Sequence, residues 1–285
     1  MTNRGERMFI DTHSKESMEK TLCDLLNVTE DELYAIISEI GSRAGDDYDI
    51  WKSGIRDFIN QHRPSSLPDE ILLFHLARRL QGTEDDVIAR NLLDLLTTEN
   101  AFSKVLKEHK VEFYKEDGHI ETIYNGKNVD WEKCWNGNSS YMKSRLGYFK
   151  GREDYCFNGF AFKDLLYKNS YARNLSGVPE FIGQLIECLG CRELGHFFME
   201  HSAYFCYEYK IPIDRVMFDD HDSYSTGMKQ KYLIECVIER LRDYRYSNPR
   251  YMYDHENPVL RLADDDILPA SYFVSKEIIT GDMLR

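Results

Sequence analysis

The stretch Leu72-Leu73-Phe74-His75-Leu76-Ala77-Arg78-Arg79-Leu80 constrains the fold of this chain more than any other. Its apolar start, near Ile71 to Ala77, is fit for a buried strand. A histidine and two arginines stand at the strand's exit. Arginine is costly to bury without a partner, and a strand end opening into a cleft is a common place to offer it an anion. Farther along, Cys156-Phe157-Asn158-Gly159-Phe160-Ala161-Phe162 is a second short aromatic strand, interrupted by small polar residues.

Around these two strands the pattern is mostly helical at first. Ser14 or Ser17 is placed to cap a helix carrying Met18, Leu22, Leu25 and Leu26. Thr29-Glu30-Asp31-Glu32 opens a second with Leu33, Ile36, Ile37 and Ile40 at helical spacing and Gly41 as its stop. A third runs from Trp51 to Gln61. Pro64-Ser65-Ser66-Leu67-Pro68 then punctuates the chain, which divides into a helical N-terminal subdomain, residues 1–66, and an α+β domain, residues 67–285.

In the second part a helix is expected over Glu84 to Thr97. Hairpins follow in 111–131, turning at Asp117-Gly118 and Asn125-Gly126, and then an irregular stretch from Trp131 to Gly151. Pro179 suits the first turn of a helix from Glu180 to about Leu189. Residues 191–201 read as helix, Ala203 to Ile213 as a strand, and Lys229 to Arg242 as helix. Val259 to Leu262 and Tyr272 to Val274 read as short closing strands. Hairpins and helices without a βαβ rhythm define an α+β fold.

The totals exclude several classes. A net charge of −13 over 285 residues argues against broad, non-specific nucleic-acid binding, because an acidic surface repels phosphate. No signal peptide and no apolar run long enough to span a membrane is visible, and seven scattered cysteines suit reduced thiols in a cytoplasm. The sequence carries no phosphate loop, no Gly-x-Ser-x-Gly and no His-Glu-x-x-His.

An apolar strand with His75-x-x-Arg78, a helix, a hairpin insertion, the Asn158-Gly159-Phe160 strand and Val178-Pro179-Glu180 opening a helix follow one another in order. This order resembles bacterial ADP-ribosyltransferase-like domains of the toxin and phage-defence type, over roughly residues 70 to 275. The resemblance implies a split antiparallel sheet that holds NAD, as co-substrate, in a central cleft. It implies that His75 anchors ribose, that Arg78 binds phosphate, and that Asn158, Gly159 and Phe160 line the pocket. A late glutamate would promote transfer by stabilising the positive charge that grows on the ribose. Glu208 is preferred for that role because a strand fixes a side chain well, with Glu180 second, although neither lies in the exchange-loop motif of the family. A macromolecular acceptor and an antitoxin or regulatory protein are the implied partners.

Each residue also has a structural reading. Arg78 and Arg79 are able to pair with Glu84, Asp85 and Asp86, and Glu180 has a complete explanation as a first-turn helix carboxylate. Two other functions remain open: a non-catalytic interaction protein on the same fold, and a binding module stabilised by zinc at Cys188, Cys191, His196 and His201.

Overall fold

The computed structural model describes residues 8–62, 67–83, 86–134, 136–151, 153–252 and 256–285. Among them the helices are α1 (Lys15–Leu26), α2 (Glu30–Ala44), α3 (Tyr48–His62), α4 (Leu92–Thr97), α5 (Ala101–Glu108), α6 (Ser139–Arg145), α7 (Ser170–Leu175), α8 (Glu180–Leu189), α9 (Arg192–His201) and α10 (Thr226–Tyr246). The strands are β1 (Glu70–Leu80), β2 (Val111–Glu116), β3 (His119–Tyr124), β4 (Lys127–Asn128), β5 (Asn158–Phe160), β6 (Ser202–Pro212), β7 (Met217–Phe218), β8 (Val259–Arg261) and β9 (Phe273–Ile278). The fold is α+β with antiparallel sheets. One sheet has six strands in the order β7-β8-β5-β1-β6-β9, and the other has three in the order β2-β3-β4.

The chain forms two compact units. One is made of Met1–Phe74, Gly159–Ser170 and Tyr209–Leu260, the other of His75–Asn158, Tyr171–Glu208 and Arg261–Arg285. The chain therefore passes from unit to unit inside β1, β5, α7, β6 and β8 rather than through linkers. The boundary expected near residue 66 falls beside 63–66, which lie outside the described residues.

In the first unit local signals set the helix ends. Ser14 and Ser17 form a reciprocal capping box that starts α1, and Thr29 and Glu32 form another that starts α2. Gly41 does not stop α2. The helix continues to Ala44 and ends at Gly45, whose φ of 56° is a conformation glycine adopts without penalty. α1 and α3 pack on α10, and α2 on α3. Their buried faces carry Met18, Leu22, Ile37, Trp51 and Ile55, with Leu233 and Val237 from α10. Lys52 on α3 pairs with Glu239 of α10 at 2.9 Å and with Glu235 at 3.7 Å. Asp164, almost fully buried, is not left uncompensated: it accepts from the Tyr244 hydroxyl at 2.8 Å and faces Arg240 at 3.5 Å.

The second unit is built on tight turns. Asp117 and Gly118 have φ of 43° and 90°, and Asn125 and Gly126 have φ of 51° and 75°. Two consecutive positive φ values are what a two-residue hairpin turn requires, and they hold β2 and β3 in register from Val111↔Tyr124 to Glu116↔His119. Val111, Ile120, Trp131, Met142, Leu185 and Leu194 share its core.

Three expectations fail here. The helix over 84–97 shrinks to α4. Val87 is left-handed at φ 50°, Ala89 exchanges backbone hydrogen bonds with Leu268, and Asn91 caps α4 by accepting from the Asp94 N–H at 2.8 Å. The stretch 131–151 is not wholly irregular: it holds a 3-10 turn, Trp131–Lys133, and α6, each started by an aspartate or asparagine cap. α7, unpredicted, is only six residues long and has no strong periodicity to announce it.

Gly159 positions β5 on β1, where Phe74 lies opposite Phe160. A Cβ built at Gly159 would sit 2.7 Å from the Phe74 carbonyl oxygen and 2.5 Å from Leu73 Cδ2. This glycine lets one backbone approach another, which corrects the expectation that it opens space for a ligand. Gly159→Ala is therefore expected to destabilise the protein by about 2–4 kcal/mol, measured as a shift in the denaturant midpoint. A loss below about 0.5 kcal/mol would show that the strands part without strain.

Candidate functional site

The pleat of β1 decides which of the expected site residues share a surface. Successive side chains of a strand point to opposite faces, so His75 and Arg79 lie on one side of β1 and Arg78 lies on the other. The same alternation, with Phe160 opposite Phe74, puts Asn158 on the Arg78 side and Phe157 on the His75 side. The five residues expected to hold one nucleotide are thus divided between two faces.

On its own face Arg78 is fully engaged. Its Nε donates to Ser202 Oγ at 2.9 Å, Nη2 to the Ser202 carbonyl at 2.8 Å, and Nη1 to the Ser176 carbonyl at 2.7 Å. It ties the end of β1 to the start of β6 and to the connection between α7 and α8. This is a structural fork that commits three of the five guanidinium N–H groups to the fold. Arg78 does not pair with Asp86, which instead meets Arg90. Glu84 and Asp85 lie outside the described residues.

The His75 face has a different character. The imidazole lies against the Phe157 ring at 4.1 Å between centroids, and Nδ1 is 2.7 Å from the Asn158 carbonyl oxygen. A carbonyl only accepts, so Nδ1 carries the proton. Burial, reinforced by the positive charge of Arg79, pushes the imidazole pKa down to about 3 against the opposing effect of the Asn158 hydrogen bond. The ring is neutral near pH 7 and its Nε2 is a bare acceptor, suited to a hydroxyl donor.

Arg79 lies over the Tyr207 ring at 5.4 Å, and its Nε is buried without a hydrogen-bond partner among the described residues. Lys276 of β9 approaches the rings of Phe205 and Tyr207 at 5.5 and 5.8 Å. Two cations and a neutral imidazole therefore stand on an aromatic ledge formed by β5, β1, β6 and β9. Lys276 is exposed on β9, whereas the Phe157 and Tyr207 rings are buried and support the cations from below.

The two expected carboxylates are elsewhere. Tyr207 lies under Arg79, so the next residue, Glu208, points to the opposite face. It is buried, 7% exposed, and accepts from the Ser275 hydroxyl at 2.6 Å. Glu180 begins α8 and is exposed, with the Tyr141 hydroxyl as its partner. Neither takes part in the hydrogen bond or the ring contact made by His75.

A metal reading fares no better. Among the described residues no group of three or more His, Cys, Asp and Glu side chains is placed to hold a metal ion. His201 stacks on Phe197 and donates to its carbonyl at 2.9 Å, and Cys188 meets Cys134 rather than Cys191. The zinc arrangement expected from spacing is not assembled, because α8 and α9 each carry these residues on separate turns. A recess of about 760 Å³, lined by Ile186, Arg192, His196 and Met199, contains none of the residues expected to bind nucleotide.

Arg79, Tyr207 and Lys276 were not singled out from the sequence. Arg79 was read as a twin of Arg78, and only the fixed register of β1 separates them. Lys276 needed the knowledge that β9 lies beside β6.

No protein-family model, no curated protein and no solved structure matches this chain. No helix among the described residues is long and apolar enough to cross a membrane.

The buried neutral imidazole has a consequence for acid stability. His75 binds its proton more weakly in the folded state than at the ordinary value of 6.5. Its contribution is therefore fully present above that value and is lost as the pH falls toward the folded pKa. From about pH 7 to about pH 4, wild-type protein is expected to lose about 1–3 kcal/mol more stability than His75→Gln, measured by urea unfolding at each pH. Equal slopes would mean that His75 titrates freely.

Arg78→Ala is expected to cost about 2–4 kcal/mol in the same assay, since it leaves two carbonyls without their charged donor. Arg79→Ala, which breaks no hydrogen bond, is expected to cost less than about 1 kcal/mol.

Proposed function

We propose that the chain is an ADP-ribosyltransferase-like protein that takes NAD as co-substrate and transfers ADP-ribose to a macromolecular acceptor. The observation that carries this reading is the His75 face: a neutral imidazole with a bare Nε2 beside an arginine with an unused donor, on aromatic rings. β1 and β5, the two strands on which the resemblance rests, are hydrogen-bonded neighbours in the middle of the six-stranded sheet.

In this reading His75 Nε2 accepts from a ribose hydroxyl, and Arg79 with Lys276 neutralises the diphosphate. Phe205, half-buried beside Lys276, supplies apolar surface to a planar end of the dinucleotide. Transfer breaks the bond between the ribose anomeric carbon and nicotinamide. The electron pair leaves with nicotinamide, and the acceptor's nucleophile takes its place. Positive charge grows on the sugar as the bond lengthens, and a carboxylate aimed at it would lower the barrier. Glu208 and Glu180, the carboxylates named from the sequence, do not face a ribose held by His75: Glu208 is buried on Ser275 on the other side of β6, and Glu180 begins α8.

The orientation of Glu208 favours a second reading, a non-catalytic protein that binds the dinucleotide on the same face without cleaving it. One experiment separates the two. Incubation with labelled NAD is expected to release nicotinamide and label an acceptor in the transferase reading, and to give saturable binding without cleavage in the other.

In either case Arg79→Ala is expected to weaken NAD binding at least tenfold, about 1.4 kcal/mol, in a titration by calorimetry. Undiminished affinity in Arg79→Ala and in His75→Ala would remove the proposed site, and absence of any NAD binding by the wild-type protein would remove both readings.

A further inference from the structure

Cys134 directly follows the 3-10 turn Trp131–Lys133, and Cys188 lies in the last turn of α8. The two side chains are neighbours, and the Cys134 Sγ also lies 3.8 Å from the Asp130 carbonyl oxygen. The surrounding backbone fixes that meeting. The Asn138 N–H donates to Gln184 Oε1 of α8 at 2.9 Å. Gly137, at φ 73°, lies so close to α8 that a Cβ there would be 3.0 Å from both the Cys188 sulfur and its backbone nitrogen. Both cysteines are half-buried, so a small oxidant reaches them; Cys156 is half-buried too, and Cys23, Cys191, Cys206 and Cys236 are buried.

We propose that Cys134 and Cys188 are a reversible modification site, oxidised by hydroperoxides to a disulfide that staples the loop before α6 to α8. One thiolate attacks the peroxide, whose oxygen–oxygen bond breaks, giving a sulfenic acid and hydroxide. The second thiol then displaces the sulfenic oxygen as water and forms the sulfur–sulfur bond. In sum, two thiols and one hydrogen peroxide give one disulfide and two waters. Each sulfur gives up one electron and the peroxide takes both.

The immediate charges around the pair are acidic. Desolvation, followed by Cys134 and Glu187, pushes the Cys188 thiol up to about 11, and desolvation with Asp130 raises Cys134. Thiolate is scarce at neutral pH, and the reaction quickens as pH rises. The bond would close a long loop, which restricts the unfolded chain more than the folded one.

The test uses the full chain, purified reduced and then exposed to hydrogen peroxide. Free thiols are blocked, and the protein is digested without reductant and mapped by mass spectrometry. The expected result is one joined peptide pair containing Cys134 and Cys188, two hydrogens lighter than its parts, restored by dithiothreitol and missing in Cys134→Ser. The oxidised protein is expected to melt about 5 °C above the reduced protein. A dominant link between Cys188 and Cys191, or overoxidation of Cys134 without any link, would overturn the proposal. The map of the wild-type protein decides the matter even if Cys134→Ser does not fold.

Discussion

The pleat of one central strand governs what the rest of this protein is able to do. β1 carries two adjacent arginines, and two-residue alternation gives them opposite fates. Arg78 turns to one face and spends its three donor groups on Ser202 and Ser176, anchoring β6 and the approach to α8. Arg79 turns to the other, rests on Tyr207 and keeps an unused Nε beside a neutral imidazole. A chemically identical pair is thereby divided between a hydrogen-bonded fork and a cation resting on an aromatic ring. The division holds only while the register of β1 holds, and that register is reinforced where Gly159 brings β5 against the Phe74 carbonyl.

Much of the secondary structure was legible because its causes are local. Capping boxes at Ser14 and Thr29, and the Asp117-Gly118 and Asn125-Gly126 turns, depend on a few consecutive residues and were read correctly. The failures share a cause as well. Residues 86–91 have helical hydrophobic spacing, but Ala89 finds its backbone partner in Leu268, far along the chain, and tertiary pairing overrides local preference. Gly41 reads as a stop, yet α2 runs on to Ala44, packed against α3 and α1.

The site was legible only by residue type. His75 stands out by residue type, and the structure sets its ring against Phe157 with Nδ1 on the Asn158 carbonyl. Which arginine accompanies it, and which side of β6 faces it, follow from strand pairing that spacing does not encode. Spacing also suggested a cluster of Cys188, Cys191, His196 and His201, but a helix end with Gly190 in a left-handed turn separates the residues that a list of intervals places together.

The discontinuous make-up of the two units imposes an order on folding. Each unit draws on three separate lengths of chain, and four of the five exchanges occur inside strands, the fifth inside α7. β1 emerges early in synthesis, yet its neighbours β5 and β6 follow only after Asn158 and Ser202. Its apolar segment must wait, unpaired, through the synthesis of the intervening helices and hairpins. Nascent chains in that interval expose a strand edge rich in leucine, the kind of surface that chaperones hold and that aggregates when they do not.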